Sequence, residues 1–121
     1  MAGAVMTFTE TTIGSVKKIK AEWTSDDTTG AVSGTTTHSY SGRIIGAITV
    51  PGATAPTDNY DITVTDSDSV DLSLGALQNR ATATTQFIAE ASMAGIAVGQ
   101  LTINITNAGN SKIGTVYLFI R

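Results

Sequence analysis

Three carboxylates stand close together in the stretch TVTDSDSVDL, Thr63–Leu72: Asp66, Asp68 and Asp71. Carboxylate oxygens at this density are candidate ligands for Ca²⁺. A calcium-binding EF-hand loop also needs Gly at its sixth position and Glu at its twelfth. Counted from Asp66, those positions hold Asp71 and Leu77, which excludes this motif. A looser cation site through the three carboxylates is one alternative. The other is a turn in which Asp and Ser side chains bond local backbone groups; we favour the turn and predict no bound metal.

The remaining residue types do not indicate catalysis or a cofactor. The chain has one histidine, His38, and no cysteine, which excludes a Cys nucleophile, a zinc–thiolate site and a disulfide. A Ser–His–Asp triad would have to be built on His38, which we expect on the surface of a Thr-rich strand. The glycines match neither the dinucleotide-binding nor the Walker A phosphate motif. We therefore predict a protein that is not an enzyme and that needs no cofactor.

The distribution of charge argues against nucleic acid as a partner. The net charge is −3 and only 14% of the residues are charged, whereas nucleic-acid binding relies on clustered Lys and Arg at phosphates. No apolar run approaches the roughly 18 residues of a membrane-spanning helix. The first ten residues also lack the charged and apolar regions of a signal peptide. We predict that the protein binds neither nucleic acid nor a membrane.

Three cationic residues are candidate contacts with a protein partner. In the group KKIK, Lys18 and Lys20 would share one face of a strand, where they could bind an acidic partner. The alternative, which we favour, is that they are solvated or protect an exposed sheet edge. Arg80 lies in the irregular stretch GALQNRATATT and could anchor a subunit contact through a bidentate bond to a carboxylate, or it could be solvated.

The first residues of the chain are a second set of candidate contacts. Residues 1–12 are predicted to form an N-terminal arm or an edge strand, followed by a single β-sandwich domain over residues 13–121. Val5, Met6 and Phe8 are apolar and need cover. That cover could come from the protein's own sheet or from a neighbouring subunit, and we favour the neighbouring subunit.

The elements that position these residues are strands, because apolar and polar residues alternate with a period of two along most of the chain. The apolar residues expected on buried faces are Ile19, Ala21, Trp23, Tyr60, Ile62, Val64, Leu101, Ile103, Ile105, Val116, Leu118 and Ile120. In RIIGAITV the alternation places Ile44, Gly46, Ile48 and Val50 on one side, with a bulge or a close backbone approach at Gly46.

Turn signals between the strands predict the fold class. The segment NAGNSK, residues 107–112, separates two alternating stretches and predicts a hairpin of the last two strands. The Thr-rich segment AVSGTTTHSY could pair back on the strand before it. Eight or nine short strands with little helix indicate an all-β, antiparallel β-sandwich, either jelly-roll-like or a Greek key.

Several stretches together resemble small virion proteins of tailed bacteriophages. They are KKIKAEWTSD with the following GAVSGTTT, TVPGATAPTDNYDITVTD, GALQNRATATT and NAGNSKIGTVYLFIR. The resemblance covers roughly residues 16–121 and implies a virion structural protein. A capsid decoration (cement) protein is the first expectation, and a tail, baseplate or receptor-binding module is the alternative. A cement protein implies the major capsid protein as partner, a homotrimer, and a place on the capsid surface after synthesis in the host cytoplasm. The resemblance assigns no contact residues.

Overall fold

The computed structural model describes residues 4–57, 60–66, 71–73, 75, 77–78, 80, 84–89 and 96–121. Within these ranges the protein consists of nine strands with no helix, so the all-β prediction is confirmed. The strands are β1 (Val5–Ile13), β2 (Val16–Thr24), β3 (Val32–Thr35), β4 (Tyr40–Pro51), β5 (Asp61–Thr65), β6 (Gln86–Ala89), β7 (Ile96–Gly99), β8 (Thr102–Thr106) and β9 (Ile113–Ile120).

The strands form two antiparallel sheets that enclose one core. The larger sheet has the order β1-β2-β9-β4-β6, with β7 also paired to β4, and the smaller sheet has the order β3-β8-β5. Both sheets contribute side chains to the core, as the alternation predicted for β2, β5, β8 and β9. Burying one face of each sheet against the other is the basis of a β-sandwich.

Strand pairing decides between the two arrangements that the sequence left open. Early strands pair with late ones: β2 with β9, β3 with β8, and β4 with β6 and β7. The segment after β5 continues this pattern, because isolated bridges join Asp71 to Thr65 and Arg80 to Tyr60. The chain passes between the sheets at most of its connections. This is the arrangement of a jelly roll.

The two predicted local pairings are wrong. The last two strands do not form a hairpin, because β8 lies between β3 and β5 in the smaller sheet and β9 lies between β2 and β4 in the larger one. Likewise β3 pairs with β8 and not with β2. The segment 107–112 does turn sharply, with positive φ at Asn107, Gly109 and Ser111. A turn signal fixes the local backbone but does not say which strand the next one joins.

The predicted bulge in β4 is present. Ile44 pairs with Ile120, whereas Gly46 pairs with Phe119, the next residue back along β9, so Ile45 is the extra residue. A β-bulge places two residues of one strand opposite one residue of its partner.

This bulge reverses which side chains of β4 reach the core. After it, Ala47 and Thr49 are buried, while Ile48 and Val50 are only partly buried and point to the other side of the sheet. Ile44 points into the core, so the prediction that Ile44, Ile48 and Val50 share one side of the strand is wrong. One inserted residue shifts every later side chain to the opposite face.

Residues 5–13 form the edge strand β1 of the larger sheet, paired with β2 along nine positions. Met6 and Phe8 point inward and pack against the core. They also lie against Gly34 of β3, where an added Cβ would come within 2.9 Å of Phe8 Cε2 and 3.1 Å of Met6 Sδ. The fold itself therefore covers Met6 and Phe8, which corrects the expectation that a neighbouring subunit does so. Val5 points the other way and is exposed.

Candidate protein-binding face

The side of the larger sheet that points away from the smaller sheet is here called the outer face. The strand registers place on it side chains from all six strands of that sheet. Its main residues are Val5, Ile13, Lys18, Lys20, Glu22, Arg43, Ile48, Val50, Phe87, Ile96, Val98, Ile113, Tyr117 and Phe119. Aliphatic and aromatic residues outnumber the charged ones on this face.

The corresponding side of the smaller sheet is polar. It carries residues such as Ser33, Thr63 and Asn104, which alternate with the buried residues of β3, β5 and β8. These polar side chains bond one another, as the Thr35 and Thr102 hydroxyls do at 2.9 Å. An antiparallel sheet with one side in water normally has this alternation of apolar and polar residues. The smaller sheet follows the rule and the outer face of the larger sheet departs from it.

The exposed fractions of the large hydrophobic side chains show how far the outer face departs from this alternation. All six of the exposed large hydrophobic residues in the described parts of the chain lie on the outer face, with exposed fractions between 41% and 67%. They are Val5, Ile13, Phe87, Ile96, Val98 and Ile113. Single exposed hydrophobic residues are normal on a protein surface, whereas a group on one face marks an interaction site.

A row of side chains crosses the middle of the outer face. Lys20 is paired with Tyr117, Tyr117 with Ile48, and Ile48 with Phe87, so the four lie on adjacent strands. Neighbouring strands are about 4.8 Å apart, which makes the row a continuous strip. Tyr and Phe are residue types that often dominate the energy of protein interfaces.

The two predicted lysine contacts lie within the same face. Lys18 Nζ is 5.0 Å from the centre of the Tyr117 ring, within range of a cation–π interaction. Lys20 Nζ is 3.8 Å from Glu22 Oε1. These contacts leave both lysine side chains partly exposed on the strand next to Tyr117, where they are available to a partner.

Arg80 lies apart from the outer face. Its backbone N–H donates to the Tyr60 carbonyl at 2.7 Å, and its guanidinium donates to the Gln78 carbonyl from Nε at 3.1 Å and from Nη2 at 2.9 Å. The guanidinium is thus engaged within its own loop beside β5. The structure brings Val5, Lys18 and Lys20 onto one face and does not bring Arg80 to them.

Asp71, the last carboxylate of the acidic stretch, holds the turn that follows it. Asp71 Oδ1 accepts hydrogen bonds from Ser73 Oγ at 2.6 Å, from the Ser73 N–H at 3.0 Å and from the Val64 N–H at 3.3 Å. Its Oδ2 accepts one from the Gly75 N–H at 3.0 Å. This bonding is the turn chemistry predicted for Asp71. Asp68 lies outside the described residues, and among those described no three His, Asp or Glu side chains are grouped as metal ligands.

Glu10 fastens the loop between β3 and β4 to the edge strand. Its Oε2 accepts a hydrogen bond from the Thr37 N–H at 3.0 Å, and its Oε1 accepts one from the His38 N–H at 3.1 Å and one from the Tyr40 hydroxyl at 2.6 Å. His38 is exposed in this loop, so the expected strand position for it is wrong. Glu10, His38 and Lys17 line an open pocket of about 410 Å³.

The pKa of Glu10 lies below its ordinary value of 4.5. Burial raises the pKa, but the hydrogen bonds from Tyr40, Thr37 and His38 and the charge of His38 together outweigh it. Because these donors bond the ionised form, they favour the carboxylate. In turn, burial and the Glu10 carboxylate raise the pKa of Tyr40, so the phenol stays protonated and keeps donating.

We expect Glu10→Gln to lower the free energy of unfolding by roughly 1 kcal/mol at pH 7, a value reduced because Glu10 is partly exposed. A carboxylate with a depressed folded pKa stabilises the fold above its unfolded pKa and loses that effect as the pH falls through its folded pKa. The gap between the wild type and Glu10→Gln should therefore close as the pH drops below about 4.5. Thermal unfolding of both proteins from pH 7 to pH 3 measures this gap, and a gap independent of pH would contradict the assignment.

Of the six exposed hydrophobic residues on the outer face, the sequence patterns singled out Val5 and missed the other five, which are Ile13, Phe87, Ile96, Val98 and Ile113. In TTQFIAEA the alternation does place Phe87 and Ile88 on opposite sides of a strand, which is a usable signal. Both residues are apolar, however, so the pattern does not say which of them is buried. The structure packs Ile88 against the core and leaves Phe87 exposed.

Comparison of the chain with protein-family models, curated proteins and solved structures gives no match. Among the described residues, no helix is long and apolar enough to cross a bilayer.

Proposed function

We propose that this chain is a non-enzymatic structural protein of a tailed-phage virion, of the capsid decoration (cement) type, that binds the outer shell and stabilises it. The observation that supports a binding role most directly is the outer face, which carries all of the exposed large hydrophobic residues described. Leaving that area in water is unfavourable by about 25 cal/mol per Å² of apolar surface, and a partner protein would remove the cost.

The size of the outer face is adequate for a specific protein contact. It spans five neighbouring strands at about 4.8 Å each and roughly 30 Å along the nine-residue strands β1 and β2, or about 700 Å². Specific interfaces bury roughly 800 Å² on each partner.

The resemblance to small virion proteins gives the proposal its location on the capsid surface, its major capsid protein partner and its trimeric form. The fold is compatible, because jelly-roll sandwiches are common among viral capsid proteins. Fold alone does not establish function, since the same architecture also occurs in lectins and cupins. The proposal therefore depends on the resemblance for location and on the outer face for binding.

A tail, baseplate or receptor-binding module is the second candidate. A module that binds glycans would be expected to present an exposed aromatic ring in a loop. Tyr40 and Tyr60 are the aromatic residues nearest to loops, and their exposed fractions are 6% and 0%. Neither ring is accessible to a sugar, and the exposed ring of Phe87 lies within strand β6 rather than in a loop, so the capsid position is favoured over glycan binding.

The test is cryo-EM of purified virions of the phage that encodes the chain. We expect density for the jelly roll in many copies on the shell, grouped around three-fold or quasi-three-fold positions. Density in a few copies confined to the tail would instead support the second candidate function, a tail, baseplate or receptor-binding module. Particles without any copy would overturn both candidates.

A further inference from the structure

We propose that the outer face is the docking surface of this protein and that its occupant is a protein surface combining carboxylates with exposed apolar side chains. This inference rests on the proposed function for one point only, which is the location of that partner. It adds the surface used, the chemistry of the partner and the residues that make the contact.

The charge of the outer face is opposite to that of the whole chain. Its described charged residues are three cations, Lys18, Lys20 and Arg43, against one acid, Glu22. The chain as a whole has seven cationic and ten acidic residues. The acids Asp26, Asp61, Asp66 and Asp71 lie on the smaller sheet or in loops. A partner with carboxylates would be attracted to the outer face and repelled by most of the remaining surface.

A second copy of this chain is a poorer occupant. A two-fold dimer through the outer face would bring the same patch of both subunits together, so its described charged residues would be six cations against only two acids. Lys20 already has Glu22 beside it at 3.8 Å, which leaves no unshared acid on the described part of this face to balance a facing lysine. Like charges brought together across an interface cost several kcal/mol.

An anionic lipid surface also fits less well than a protein. Membrane recognition by charge uses clusters of about four to eight basic residues. The outer face has three, and they are spread over β2 and β4. The row of side chains that crosses this face includes the aromatic rings of Tyr117 and Phe87. Such a composition is typical of protein interfaces, in which Tyr, Phe and Arg are enriched.

Two contacts should carry most of the binding. Phe87 is 66% exposed, with the tip of its ring over Gly46 of β4, so the open side of the ring can pack against the partner. Lys18 is held over the Tyr117 ring at 5.0 Å, so it is already positioned to meet a carboxylate. Buried aromatic anchors beside oriented charges are the usual positions of interface hot spots.

The test is site-directed photocrosslinking with the full chain, carried out in host cells infected by the phage, where the virions assemble. In one protein the photoreactive residue p-benzoylphenylalanine replaces Phe87. In the matched control it replaces Ser33, which is exposed on the polar side of the smaller sheet. Crosslinked peptides are identified by mass spectrometry. Each protein is also made with Lys18→Glu and, as a charge-matched control away from the outer face, with Lys112→Glu.

We expect position 87 to crosslink to a segment of another protein that is rich in Asp and Glu and contains exposed apolar residues. Position 33 should give little crosslinking. Lys18→Glu should reduce the yield at position 87 by about tenfold or more, and Lys112→Glu should leave it nearly unchanged.

Several results would overturn the inference: crosslinks from position 87 to a second copy, to lipid or to a segment without acids, crosslinks only from position 33, no crosslinks from either position, or equal effects of the two lysine variants. A partner in the shell supports the proposed function as well. An acidic segment of a protein outside the virion would support this inference and overturn the proposed function, so the two are tested separately.

Discussion

Gly114→Ala is expected to destabilise the protein by about 3 kcal/mol, at the upper end of what overpacking a core costs. Gly114 lies in β9 opposite Trp23 of β2 and is buried. A Cβ added there would overlap Cζ2 of the indole ring and come within 2.8 Å of its Cε2. Trp23 is buried and packs on Tyr60 with ring centres 5.7 Å apart, so the ring has little room to move away.

Thermal and urea unfolding measure this effect, and for a chain of 121 residues the expected loss corresponds to a fall in Tm of roughly 12 °C. Gly46→Ala is the matched control, because an added Cβ there meets its nearest neighbour, the Ile88 carbonyl oxygen, at an ordinary 3.4 Å. That variant should change stability by less than about 1 kcal/mol.

A double-mutant cycle with Trp23→Leu tests the cause directly. Removing the indole ring should lower the cost of Gly114→Ala by at least about 1 kcal/mol, since residues in contact have non-additive effects. Additive effects would show that the indole contact is not the reason for the glycine.

Ser25→Ala should cost about 2 kcal/mol, although it removes a single oxygen. Ser25 follows β2, is fully buried, and ties the turn at residues 107–112 to the end of that strand. Its Oγ donates to the Gly109 carbonyl at 2.5 Å and accepts from the Lys112 N–H at 2.8 Å. Alanine would leave both backbone groups without these bonds in a partly buried place, which is more costly than losing an exposed hydrogen bond.

The same unfolding measurements apply, with Ser33→Ala as the control for losing an exposed serine hydroxyl from β3. That control should stay within about 0.5 kcal/mol of the wild type. If Ser25→Ala were equally mild, water would have to replace the lost bonds, and the hydroxyl would not be what holds the turn in place.

These two effects involve residues that local patterns did not single out. Gly114 and Ser25 look like ordinary members of a strand and a turn in the sequence. Their importance comes from Trp23 and from residues 109 and 112, which lie far from them along the chain or on another strand. No local periodicity contains that information.

The outer face also has some residues that local patterns could place and others that depend on long-range contacts. Lys18 and Lys20 could be placed on one face from spacing alone, because side chains alternate along a strand. Phe87 and Ile48 could not be assigned to that face. Phe87 has an apolar neighbour that competes for the core, and Ile48 follows a bulge whose effect on facing depends on the pairing of β4 with β9.

Periodicity and turn chemistry were sufficient to predict the all-β class, the approximate number of strands, the buried sides of β2, β5, β8 and β9, and the turn character of Asp71. Each of these depends on side-chain direction or on hydrogen bonds within a few residues. Long-range strand pairing and packing place β8 and β9 in different sheets and pair early strands with late ones. They also pack Met6 and Phe8 against the core while leaving the outer face exposed. These outcomes depend on which distant segments pair with one another and fill the core. The free energy that decides this includes contacts along the whole chain.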